Sequence, residues 1–237
     1  MKMKYTKMQS NGNDFLITED ISFVDRVVEL ADRKKGVGFD QLLLVKNSAE
    51  FELKVFNADG SEANNCINGL RCVGQLYNKD GQTITISEKK FKIIFSPEGV
   101  GVEAEKPIVK RLDEYFIVNF ANNHIIKESY SLNEAELPKE YLALKKDQRF
   151  KGVKDFNLSY FQRDGDIVLI RTFENGVGET QSCGSASIAT AAVISQSSNK
   201  KIINFSAIGG PSAVFIRTNS LVSVASVEEI HMNTFNE

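Results

Sequence analysis

Two segments of this chain, half its length apart, repeat one pattern: a glutamate, three residues, a cysteine, and then an apolar run with helical spacing. The first runs Asn57-Ala-Asp-Gly-Ser-Glu62 to Cys66-Ile-Asn-Gly69 and continues with Leu70, Val73 and Leu76. The second runs Glu174-Asn-Gly-Val-Gly-Glu179 to Cys183-Gly-Ser185 and continues with Ile188, Ala189, Ala192 and Val193. The repetition predicts two similar halves, each with a helix that begins at its cysteine and lies inside a curved sheet.

Short β-rich segments fit that frame. They fall at residues 42–45, 52–56, 83–86 and 91–95 in the first half, and at 115–119, 167–172, 202–205, 213–217 and 221–224 in the second. A further helix is expected from Ser22 as N-cap, with Val24, Val27, Val28 and Ala31 on one face, ending at Gly36 in a left-handed position. A more polar, solvent-facing helix is expected between Ser131 and Lys146, with Pro138 marking a break or a start just before it.

Composition narrows the partners. The net charge is -2 and no Lys/Arg run forms a stripe, so nothing electrostatic favours nucleic acid or a membrane surface, and a small molecule is expected. No apolar run has the length of a membrane span or follows Lys2, Lys4 and Lys7 as a signal segment would, so a cytoplasmic protein is expected. Three widely spaced cysteines make no disulfide framework, and in a reducing compartment their thiols stay free for chemistry.

A cysteine at a helix N-terminus meets unpaired backbone N–H groups and the positive end of the macrodipole, which favours thiolate. The amides that follow form an anion site. Two such helix starts, if they converge, can bind one carboxylate and place sulfurs on opposite faces of the adjacent α-carbon. One thiolate would remove the α-proton and the opposite thiol would return one, as a coupled pair. Charge building on the carboxylate would be met by the amides of Ile67, Asn68, Gly184 and Ser185. No pyridoxal lysine is then required, and no nucleotide-binding glycine motif is present. Cys72, taken alone, is read as a packing residue.

With these motifs, and with Gly12-Asn-Asp-Phe15 and Gly36-Val-Gly-Phe-Asp-Gln41, the chain resembles the diaminopimelate epimerase family of pyridoxal-independent amino-acid epimerases along nearly its whole length. The resemblance implies an α/β fold of the α+β kind with two pseudo-symmetric domains, each a β-barrel-like sheet around a central helix. Residues 1–112 with 226–237 would carry Cys66, and residues 113–225 would carry Cys183. It also implies a homodimer, no cofactor and no metal, and interconversion of L,L- and meso-diaminopimelate in lysine and peptidoglycan precursor synthesis. By the same resemblance Cys66 and Cys183 are the acid/base pair, with His124 and Glu174 supporting them. Asn13, Gln41, Asn57, Ile67, Asn68, Asn122, Asn157, Asn175, Gly184 and Ser185 are the expected substrate contacts.

The chain also departs from that pattern. Asn175 stands where most members carry the arginine that grips the distal carboxylate, so Arg171 or Arg71 would have to replace it, or the substrate lacks that group. Ile67 replaces a glycine and crowds the pocket. Asn123 replaces a proline, and Gln9-Ser-Asn11 replaces His-Gly-Leu. These changes set beside diaminopimelate a second reading, racemisation of another amino acid with a polar or imidazole side chain. A non-catalytic amino-acid-binding relative would not need two thiols. A zinc site from Cys66, Cys72, Cys183 and His124 lacks paired ligand spacing, and a hydrolase using Cys183 with His124 leaves the other helix-start cysteine unexplained.

Overall fold

The structure, a computed structural model, describes the backbone of residues 2–236 and the side chains of residues 4–231. Among the described residues the chain is mostly strand with four α-helices, and it divides into two compact units, Met1–Ala104 with Ala225–Glu237, and Glu105–Val224.

The first unit contains β1 (Lys2–Ser10), β2 (Asn13–Thr18), α1 (Val27–Ala31), β3 (Gln41–Asn47), β4 (Phe51–Asn57), β5 (Glu62–Ala63), α2 (Ile67–Leu76), β6 (Thr83–Ile86), β7 (Lys89–Ser96) and β8 (Gly99–Glu105). Strand β2 pairs antiparallel with β1 and parallel with β3; β4 pairs antiparallel with β3 and β5 and parallel with β6; β7 then pairs antiparallel with β6 and β8. Each parallel step needs a crossover, and the chain supplies α1 for one and α2 for the other.

The second unit repeats this ladder. Its elements are β9 (Val109–Leu112), β10 (Tyr115–Phe120), β11 (Asn122–Glu128), α3 (Leu137–Lys146), β12 (Phe156–Asp164), β13 (Ile167–Glu174), β14 (Gly178–Thr180), α4 (Gly184–Ile194), β15 (Ile202–Ala207), β16 (Gly210–Ile216) and β17 (Ser220–Ala225). The β11–β12 and β13–β15 pairs are parallel, crossed by α3 and α4, and the remaining pairs are antiparallel. Strand β9 extends this sheet beyond β10, which is why residues 105–112 lie with the second unit. The C-terminal strand β18 (Glu228–Asn236) extends the first sheet beyond β1 in the same antiparallel way.

The expected first helix is shorter and differently capped. Asp20, not Ser22, caps it: its carboxylate accepts from the Ser22 N–H at 3.0 Å and opens a 3-10 turn over Ile21–Arg26 before α1. Val28 points to solvent, while Phe23, Val27 and Leu30 join Leu16, Leu42 and Phe56 in the core. Gly36 is needed for closeness rather than for a left-handed turn, since a Cβ there would lie 2.4 Å from the Glu29 carbonyl oxygen; the left-handed glycine is Gly38. Helix α3 does begin at Pro138's turn, but it is amphipathic, burying Leu137, Tyr141 and Leu144 against the sheet.

Helices α2 and α4 pack on the opposite sheet faces. A Cβ at Gly69 would meet Leu43 at 3.0 Å and one at Gly74 would meet Ile93 at 2.8 Å, so glycine permits α2 to sit directly on the sheet. Every residue of α4 is buried, and its larger apolar side chains, Ile188 among them, each contribute roughly 1.5–3 kcal/mol by leaving water. No helix among the described residues is long and apolar enough to cross a membrane.

Candidate active site

Both helices begin at the cysteines expected to open them. Cys66 is the N-cap of α2, in extended backbone, and its sulfur accepts from the Gly69 N–H at 3.2 Å. Cys183 is the N-cap of α4, likewise extended, with its sulfur 3.2 Å from the Ser185 hydroxyl. An extended N-cap followed by helical residues leaves the first N–H groups aimed outward from the helix start. Ile67, Asn68, Gly184 and Ser185 occupy those first positions.

Strand alternation builds the rest of each half-site. In the first unit β2, β3 and β4 turn Asn13, Gln41 and Asn57 toward α2. Asn68 donates its side-chain amide to Asn13 at 2.6 Å and accepts from the Arg71 guanidinium at 2.6 Å. Gln41 donates to Asn57 at 2.8 Å, and Asn57 donates to the Ser61 hydroxyl at 3.1 Å. The half-site is thus a row of polar amides with one buried cation, Arg71, which is 1% exposed.

In the second unit the same alternation turns Asn122, His124, Asn157 and Glu174 toward α4, whereas Ile125, Leu158 and Phe173 face α3. Asn157 accepts from the Asn175 backbone N–H at 3.0 Å, and its own side-chain NH₂ is buried without a partner. Such an orphaned buried donor suits a ligand oxygen. Thr180 donates to the Glu174 carboxylate at 2.6 Å.

The electrostatics of this half-site are those of a protonated thiol. Burial first, and then the neighbouring Glu174 carboxylate, push the Cys183 thiol well up, against the opposing Ser185 hydroxyl and Ala186 N–H. Burial raises the Glu174 carboxyl too, with hydrogen bonds from Thr180 and Cys183 working the other way. His124 is fully buried, and neither ring nitrogen has a hydrogen-bond partner of standard geometry. Burial outweighs the Phe120 backbone and holds the ring down to about 4, so it is neutral at neutral pH.

The duplicated registers align the two half-sites residue by residue. Phe15 pairs with Gln41 as His124 pairs with Asn157, and Phe56 pairs with Glu62 as Phe173 pairs with Glu179. Hence Phe15 corresponds to His124, Gln41 to Asn157, Asn57 to Glu174, Asn68 to Ser185 and Arg71 to Ile188. Polar amides recur at equivalent places, while the charges do not.

Neither arginine offered in place of the missing distal grip stands ready for it. Arg171 faces α3, holds Glu179 through two bonds of 2.6 and 3.0 Å, and donates to the Leu132 and Ala135 carbonyls at 2.6 and 3.1 Å. Arg71 is buried on α2. Asn175 itself accepts from the Tyr141 hydroxyl at 2.5 Å. Sequence reasoning did not single out Tyr141 or Thr180 as site residues; both act through contacts between separated segments that no local pattern marks.

A sequence model of the diaminopimelate epimerase family matches residues 5–105. A diaminopimelate epimerase from Coxiella burnetii is 29% identical over 231 residues, covering 81% of this chain and 83% of that protein. Among solved structures, a phenazine biosynthesis protein of the PhzF family from Enterococcus faecalis is similar with a TM-score of 0.70 at 12% identity, covering all of both chains. A probable proline racemase from Agrobacterium radiobacter K84 gives 0.69 at 9% identity, covering 99% of this chain and 93% of that one. At such identities these two likenesses show the fold.

Proposed function

We propose that this chain, which belongs to the diaminopimelate epimerase family, inverts the α-carbon of an amino acid with two cysteines and no bound cofactor. The observation that carries the reading is the pair of helix-capping thiols, Cys66 and Cys183, each the N-cap of a largely buried helix. In this mechanism the substrate carboxylate binds the two helix starts. One sulfur takes the α-proton as the C–H electron pair moves toward the carboxylate, and the other sulfur delivers its proton to the opposite face. Asn13, Gln41, Asn57, Asn68, Asn122 and Asn157 orient the substrate, and Glu174 and His124 tune the second thiol.

Diaminopimelate is the first substrate to consider, supported by the curated relative at 29% identity. A second reading, an amino acid without a distal carboxylate, is favoured by the engagement of Arg171 with Glu179 and by Asn175 with its Tyr141 partner. The test is exchange of the substrate α-hydrogen in deuterated water without added pyridoxal phosphate, across diaminopimelate isomers and the common amino acids. Exchange with inversion of at least one is expected; none across the panel would overturn the enzymatic reading. For specificity, Asn175→Arg is expected to lower KM for diaminopimelate about tenfold with little change in kcat, since an arginine fork adds a bidentate carboxylate contact. An unchanged KM would mean that another group already holds that carboxylate.

A further inference from the structure

We propose that an ion cluster on the far face of the first sheet, in which Arg33 and Lys7 hold Asp14 and Asp40, positions Asn13 and Gln41 for the substrate, with Arg33 as the positioning residue that closes it. The substrate role of Asn13 and Gln41 rests on the epimerase reading, whereas the cluster stands on geometry alone. Asn13 and Gln41 open β2 and β3 and turn toward α2, so their chain neighbours Asp14 and Asp40 turn to the face covered by α1, where Leu16 and Leu42 pack on Val27 and Leu30. Carried one step back, the register that pairs Phe15 with Gln41 sets Asp14 opposite Asp40. Like charges facing each other across a strand pair repel, and Asp14 is largely buried.

Two cations from separate segments resolve that repulsion. Arg33, in the turn after α1, grips Asp14 through two bonds of 2.8 and 3.0 Å and reaches Asp40 at 2.7 Å, a fork that lysine cannot reproduce. Lys7, on β1, lies 3.0 Å from Asp14 Oδ2 and donates to the Gly38 carbonyl. Backbone bonds turn the cluster into a clamp on the two strand starts. Asp40 Oδ2 accepts the Asp14 N–H at 3.1 Å, and the Asp40 N–H donates to the Asp14 carbonyl at 2.9 Å and to Asp14 Oδ1 at 3.0 Å. The Asn13–Asp14 peptide is therefore held by Asp40, and the turn into Gln41 by Asp14. Because Asn13 accepts from Asn68 and Gln41 donates to Asn57, a shift of either strand start moves the amide row beside Cys66.

The second half-site uses amides at the same places. Asn123 and Phe156 stand where the first unit has Asp14 and Asp40, and Asn123 accepts from Asn119 at 2.8 Å and donates to the Lys154 carbonyl at 2.7 Å. The ionic clamp thus belongs to the first half-site, where substitution of a half-exposed arginine can loosen it without touching Asn157 or Asn175.

The test pairs kinetics with nuclear magnetic resonance of the side-chain amides. For the panel amino acid that exchanges fastest, Arg33→Ala is expected to raise KM about five- to tenfold with kcat within about twofold, because contacts that bind ground and transition states alike act on KM. Arg33→Lys, which restores the charge without the fork, should recover part of that change. Lys46→Ala removes an exposed ion pair with Glu52, 3.1 Å across β3 and β4, and should leave KM unchanged. The side-chain amide signals of Asn13 and Gln41 should shift in Arg33→Ala while those of Asn157 and Asn175 stay. A KM within about twofold of the parent, a KM change matched by Lys46→Ala, or unmoved Asn13 and Gln41 signals would overturn the clamp. Should Arg33→Ala not fold, Asp40→Asn, which removes a charge and keeps a side-chain oxygen, carries the same expectations. If no panel member turns over, the epimerase reading falls, and the amide signals still decide whether the clamp positions Asn13 and Gln41.

Discussion

Replacing either sulfur, by Cys66→Ala or Cys183→Ala, is expected to lower inversion of the substrate by about 10³-fold or more, because each variant lacks the acid or the base on one face of the α-carbon. Chiral chromatography of the product measures the loss. Cys183→Ala should cost about 1 kcal/mol or less, since its sulfur makes no side-chain cap hydrogen bond of standard geometry. Cys66→Ala removes the acceptor for the Gly69 N–H and should cost about 1 kcal/mol or less. The contrast between a large kinetic loss and a small thermodynamic one separates a catalytic role from a packing role. Full inversion by either variant would refute the two-thiol mechanism.

The difference between the two caps also explains why a cysteine is informative at these places. Elsewhere a buried cysteine behaves as a small hydrophobe, as Cys72 does in the middle of α2. At an N-cap the sulfur is set instead at the helix start, beside the first backbone N–H groups. Local sequence carries that distinction, because an N-cap is defined by the residues on either side of it. The two helix starts and most central strands were therefore legible in the chain before any fold was known.

What was not legible depends on pairing across distance. Strands β1, β2, β11 and β12 run six to nine residues, yet their sequences mix polar and apolar residues, so no clean alternation marks them. Ser22 looked like a cap, but the neighbouring Asp20 accepts both its N–H and its hydroxyl. Arg71 looked like a free cation that could grip a substrate; only the register of α2 against β2 shows it buried and tied to Asn68. The correspondence of Phe15 with His124 and of Asn57 with Glu174 is likewise invisible in the letters, since turns of different length separate the equivalent strands.

That correspondence supplies the second large prediction. His124 is buried and held down to about 4 from an ordinary 6.5, so between those pH values the unfolded chain binds a proton that the folded chain does not. Stability therefore rises with pH across that window, is fully present above about 6.5 and is lost as pH falls toward 4, by about 3 kcal/mol in all. The expected outcome is that His124→Phe removes this loss. Phenylalanine is the natural replacement because Phe15 fills the equivalent place in the first unit at 0% exposure. Denaturant unfolding of both chains at about pH 7 and about pH 4.5 measures it, and the difference of differences cancels other acid-sensitive groups. Among these is Asp14, desolvated by burial yet held below the usual carboxylate range by Arg33 and Lys7, which also loses stability in acid. Equal losses in the two chains would show that His124 takes up its proton without resistance, and would remove the buried neutral imidazole from the second half-site.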